Sequence, residues 1–194
     1  VNSTTRLWGV SQTGTSVEIS QYFWTESDQA TIVQYPVSAE NGYKLLSAVK
    51  NEVQGEDEPI LVSKPGTLSA SVLSEVNRLN ATDVDVYSTE AVNVTEDLES
   101  IGVEDVEVTE GELDQVTEEV ENKTRTANAS NLVVVAASNF RHSISVPISA
   151  NGASVIVSSE SQIQKAVNRA SEASIQEIKV VGNPDLAQQI GEAI

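Results

Sequence analysis

The side chains that could do chemistry are one histidine, five Asn-x-Ser/Thr sequons and a large excess of carboxylates. His142 lies between Arg141 and Ser143, which invites a nucleophile–base pairing. Neighbours on a helix point about 100° apart, so Ser143 does not easily present its hydroxyl to the ring. No G-x-S-x-G elbow or glycine-rich oxyanion turn accompanies the pair. A capping or interface histidine is the plainer reading. The chain has no cysteine, so thiol catalysis, disulfides and thiolate metal sites are excluded. One histidine without cysteine does not build a typical zinc site. No G-x-G-x-x-G or P-loop pattern follows any apolar run, which leaves nucleotide binding unsupported. The expectation is a protein that is not an enzyme and carries no cofactor and no metal.

The carboxylates number 29 against 11 Lys and Arg, for a net charge of −18. Nucleic acid and anionic membrane surfaces repel such a polyanion. The acid excess has two readings, ordinary solubility or adaptation to molar salt, and the scarcity of Lys and aromatics favours the second. Residues 96 to 121 hold twelve Asp or Glu and no Lys or Arg. They lack the alternating spacing and glycine of a calcium loop, so a solvated face is expected. Screening should then stabilise the fold. We expect the melting midpoint to rise between about 0.1 M and about 3 M KCl. A flat or falling trend would mark an ordinary acidic protein.

The sequons are at Asn2, Asn80, Asn93, Asn122 and Asn128, roughly twice the chance expectation for this composition. Glycosylation of a secreted surface protein fits them, and chance in a Ser/Thr-rich chain is the alternative. Val1 stands where an initiator Met would, as expected of a processed or a trimmed chain. No apolar run approaches the length of a membrane span.

Short apolar, β-branched runs alternate with amphipathic helical stretches along the whole chain. Strands are expected at 31–35, 59–62, 84–87 and 105–108, then at 132–135, 154–157 and 178–181. These runs are continuous, not alternating, so both faces should be covered. Helical stripes at Leu46, Val49 and Val53, at Val72, Val76 and Leu79, at Leu113, Val116 and Val120, and at Ile163, Val167 and Ala170 supply the cover. The halves repeat one script: Pro59–Ser63 is answered by 154–158, and Val-Asn-Arg occurs at 76–78 and 167–169. A duplication follows, with units at 1–102 and 103–194. The fold class expected is α/β, two tandem similar units, each a short mainly parallel sheet flanked by helices.

In order and spacing these motifs resemble the type 2 cell-wall-binding repeat family. Arg6-Leu7-Trp8-Gly9, Val17–Ser20, Pro59–Ser63, Thr67–Ser69, Val76–Leu79 and Val84–Tyr87 carry the likeness in the first unit. Asn139-Phe140, Ser145 and Val180-Val181-Gly182 carry it in the second. The family's helix Asp falls on Lys44 and on His142, its Asp-Arg-Tyr segment on Ser11-Gln12-Thr13, and its closing Gly-Gly on Ser88-Thr89 and Gly182-Asn183. The resemblance implies three units about a pseudo-threefold axis that hold an anionic wall polymer. It also marks Lys44, Asn139, Phe140, His142 and Ser145 as possible interface or ligand positions.

Two functions are expected from these readings. The first is a secreted, acidic, glycosylated surface protein of archaeal type whose units self-assemble into a surface layer, sheath or filament. Two units cannot close a three-unit ring, so unit faces are left for neighbouring chains. The second is an anchoring module that binds a cell-envelope polymer through clefts at the strand ends or between units. Either is extracellular, with itself or an envelope polymer as partner and no membrane insertion.

Overall fold

The structure is a computed structural model that describes residues 7–34, 39–53, 56–90, 92–123, 129–136, 154–158, 163–172, 174–181 and 184–194. Its elements run α1 (Gln12–Phe23), β1 (Gln29–Gln34), α2 (Ala39–Glu52), β2 (Ile60–Ser63), α3 (Ala70–Leu79), β3 (Asp83–Ser88), α4 (Thr95–Glu99) and β4 (Asp105–Glu110). They continue with α5 (Leu113–Lys123), β5 (Asn131–Ala136), β6 (Ser154–Ser158), α6 (Ile163–Ala170), β7 (Glu177–Val181) and α7 (Pro184–Ala193). All seven expected strands are present, and every strand pairing is parallel.

The strand orders show the repeat. One sheet runs β2-β1-β3-β4 and the other β6-β5-β7, so β1 and β5 are equivalent central strands. Both are apolar runs buried along nearly their whole length, because helices in an α/β layer cover both faces. The same hydrogen bonds open the equivalent strands. The amides of Thr82 and Asp83 both donate to the Asp28 carbonyl, at 2.9 and 3.1 Å, and those of Gln176 and Glu177 donate to the Ser130 carbonyl, at 2.8 and 3.2 Å.

The first core gathers Ile32, Leu61, Val84 and Val86 of the sheet with Val72, Val76 and Leu79 of α3, the stripe expected from sequence. The second gathers Leu132, Val134 and Ile156 with Ala166 and Ala170 of α6 and Leu186 and Ile190 of α7. Lys165 of α6 pairs with the buried Glu121 of α5. Helix α3 ends at Asn80, whose φ of 57° is the left-handed conformation that Asn tolerates and that closes a helix.

The division of the chain differs from the expected 1–102 and 103–194. The compact units are Val1–Val37 with Gly55–Val116, and Ser38–Gln54 with Thr117–Ile194. Two elements cause the difference. Strand β4 pairs with β3 in full register from Asp83↔Asp105 to Ser88↔Glu110, so it belongs to the first sheet. Helix α2 lies between β1 and β2 in sequence but is part of the second unit, where it packs on β6. Its stripe is also turned from the one expected: Leu45, Ala48 and Val49 are buried, whereas Leu46 is only half-buried.

Candidate functional site

In an open parallel sheet ligands enter outside the carboxyl ends of the strands, where successive connections leave in opposite directions. In the first sheet that point lies between β1 and β3, since β1 leads to β2 on one side and β3 to β4 on the other. A polar row crosses it in register, formed by Ser63, Gln34, Ser88 and Glu110. Gln34 and Ser88 have no exposed surface, so neither is presented to a ligand. The Ser88 hydroxyl donates to the Glu90 carbonyl at 2.8 Å and lies 3.3 Å from Gln34 Oε1. Gln34 Nε2 and Thr89 Oγ1 are buried without a hydrogen-bond partner, a desolvation cost carried by this crest. In the second sheet the equivalent of Gln34 is the buried Ala136.

The more telling surface is on α1. A helix on an α/β sheet normally turns its large apolar residues inward. Here the buried residues are Ser16, Val17 and Ser20, while Ile19, Tyr22 and Phe23 are 39%, 56% and 64% exposed. Those three positions fall at i, i+3 and i+4, on one helix face. Trp8 and Val10, 64% and 94% exposed, precede the helix. The rings of Tyr22 and Phe23 meet edge to face at 5.0 Å, and Phe23 meets Trp24 at 5.9 Å.

Polar contacts explain why α1 holds this orientation. Strand β2 is an edge strand, and its Val62 amide donates to Ser16 Oγ at 2.9 Å, so the helix covers a sheet edge. Ser11 caps the helix by accepting the Gly14 amide at 3.0 Å. The Gly9 amide donates to Thr15 Oγ1 at 3.1 Å, in a turn so close that a Cβ on Gly9 would fall 2.2 Å from the Gly14 carbonyl carbon. Glu75 of α3 is buried and receives four donors. Ser20 Oγ and Arg78 Nη2 donate to Oε1 at 2.6 and 2.7 Å, and Gln21 Nε2 and Arg78 Nε donate to Oε2 at 3.1 and 2.9 Å. Burial alone pushes the Glu75 carboxyl up. The hydrogen bonds from Arg78, Ser20 and Gln21, with the Arg78 charge, outweigh it and hold the group below the usual carboxylate range. Arg78 also donates to the carbonyls of Trp24 and Thr25 at 2.9 and 3.1 Å, and Trp24 Nε1 donates to Asp57 Oδ1 at 3.0 Å. This saturated network positions a helix and leaves no lone pair free for proton transfer.

Of the positions singled out from sequence, Lys44 is buried on α2, which belongs to the second unit. Asn80, Asn93 and Asn122 are exposed, at the end of α3, ahead of α4 and in the last turn of α5. Asn2, Asn128, Asn139, Phe140, His142 and Ser145 lie outside the described residues. Among those described, no group of three or more His, Asp or Glu is placed to hold a metal, and no helix is long and apolar enough to cross a membrane. The α1 face was missed in the sequence because Val17 and Ile19 read equally well as core. The available signal was Tyr22-Phe23-Trp24, three aromatics together in a chain with 4% aromatics.

No family model and no curated protein matches the chain. Solved structures share its fold. Cwp6 from Clostridium difficile aligns over 95% of this chain with a TM-score of 0.68 and 20% identity, and Cwp8 from Clostridium difficile over 96% with a TM-score of 0.68 and 21% identity. The chain spans about a third of each, 31% and 32% of their lengths. At this identity the likeness is one of fold.

Proposed function

We propose that this chain is a non-catalytic cell-surface module, a divergent pair of type 2 cell-wall-binding repeats that anchors to a cell-envelope polymer. The observation that carries this reading is the fold likeness to the cell-wall proteins Cwp6 and Cwp8 over nearly the whole chain. The strand orders, which repeat the same layout twice, and the sequence motifs of both units support it. The sequons add a glycosylated surface to the reading, since the three described Asn are exposed. A second reading, self-assembly into a surface layer or filament, is favoured by the exposed apolar residues of α1.

Cosedimentation with purified cell envelopes separates the two. We expect the chain to pellet with envelopes, and with wall polymer released from them, while remaining monomeric alone at micromolar concentration. A chain that sediments as arrays or filaments by itself, and ignores the polymer, would replace anchoring by self-assembly.

A further inference from the structure

We propose that the outward face of α1, formed by Ile19, Tyr22 and Phe23 with Trp8 and Val10 beside its start, is a contact surface for uncharged sugar rings of a polysaccharide. The assignment rests on the polymer-binding reading and gives it a place and a ligand chemistry. Three observations converge on it. The helix is inverted: two of its three buried residues are serines, and its large apolar residues face outward. Folding would not favour that arrangement unless something else covers the face. The exposed side chains are mainly aromatic, and flat rings with an apolar body offer stacking surface for the C–H faces of a sugar. Trp8 precedes Gly9, whose amide reaches Thr15, and Phe23 lies eight residues beyond Thr15, about 12 Å further along the helix. That is the length of a run of rings and not of a single one.

Charge selects the occupant. Glu18 on α1, Glu26 just beyond it and Asp57, which accepts from Trp24 Nε1, are exposed acids at this helix. Residues 7–28 carry no Lys or Arg, and Arg78, bound to the carbonyls at the end of α1, is paired with Glu75. An anionic polymer is repelled there. A second copy brings a further −18 and the same acidic rim, so face-to-face pairing is opposed except where salt screens it. An uncharged glycan pays neither cost, and its hydroxyls can donate to the rim carboxylates.

The test uses the full chain with neutral oligosaccharides, chitohexaose and a soluble neutral glucan, and a phosphate-bearing wall polymer as the charged probe. Binding is followed by the fluorescence of the two tryptophans and by calorimetry. We expect saturable binding of a neutral probe, and a loss of about tenfold or more in affinity in Tyr22→Ala/Phe23→Ala. Trp8→Ala should lose affinity as a separate variant, which guards against an effect of one substitution on folding. Because these side chains are exposed, far-UV circular dichroism and the melting midpoint should barely move.

Failure to bind any neutral probe, or unchanged affinity in both variants, overturns the proposal. So does binding of the phosphate-bearing polymer alone. A wild type that self-associates at low salt, with monomeric variants and no glycan bound, assigns the face to a second copy instead. If envelopes retain wild type and variants equally, anchoring stands and the α1 assignment falls. If the neutral probes bind α1 but envelopes retain nothing, the reverse holds.

Discussion

Arg78→Met is expected to lower the stability of the first unit by about 3 kcal/mol, the low end for breaking a buried charge pair, because the arginine side chain is itself 35% exposed. Glu75 would remain buried, with Ser20 and Gln21 still donating but no positive charge to offset its own. The carbonyls of Trp24 and Thr25 would lose their donor at the same time. In a chain of this size that corresponds to a fall in melting midpoint on the order of 10 °C. Arg78→Lys should recover only part of it, since an ammonium cannot reproduce the fork that reaches two carboxylate oxygens and two carbonyls.

The acid response has a definite sign. The folded Glu75 carboxyl lies below its ordinary value, so its contribution is complete above the usual carboxylate range. It is lost as pH falls through the lowered folded value, so the melting midpoint of wild type should drop as pH falls below the usual carboxylate range. Arg78→Met should show a shallower drop over that window. Equal slopes in the two proteins would mean that Glu75 is not held ionised by Arg78. Because the same arginine binds the end of α1, the variant should also weaken any ligand held on that helix, which Tyr22→Ala/Phe23→Ala is expected to do without loss of stability.

Ile32→Ala and Leu132→Ala are each expected to cost about 2–5 kcal/mol, by lost transfer energy and the cavity left behind. Both side chains are fully buried. Ile32 lies between Leu61 and Val86 in the register of the first sheet. Leu132 lies in a core whose eight buried members among the described residues include three alanines. Few large side chains are there to close over the gap, so Leu132→Ala should be the more damaging in proportion. Urea denaturation should show a lower midpoint at unchanged slope, and Val10→Ala, on the 94% exposed residue, should stay within about 0.5 kcal/mol of wild type. A loss below about 1 kcal/mol at Ile32 or Leu132 would contradict the core placement.

The seven strands, their parallel pairing and the repeat were all legible in the amino-acid order. Continuous apolar runs such as Thr31-Ile32-Val33 and Leu132-Val133-Val134 can be satisfied only by a sheet covered on both faces, and that requirement is local. The stripe on α3 was legible for the same reason, because Val72, Val76 and Leu79 need only their own spacing to define a face.

Which sheet or unit an element joins is a different kind of fact. Strand β4 and helix α2 look alike in sequence whether they complete their own half or the other. Tertiary packing alone put β4 beside β3 and α2 on β6. Lys44 is buried because of where α2 packs, which its helical spacing does not reveal. The orientation of α1 was decided furthest from its own residues. Ser20 faces inward, and the exposed Gln21 reaches across, because Glu75, more than fifty positions later, presents a carboxylate that burial would otherwise penalise, and Arg78 completes its neutralisation. Helical periodicity names two faces for α1, and a buried charge on α3 chose which one the solvent sees.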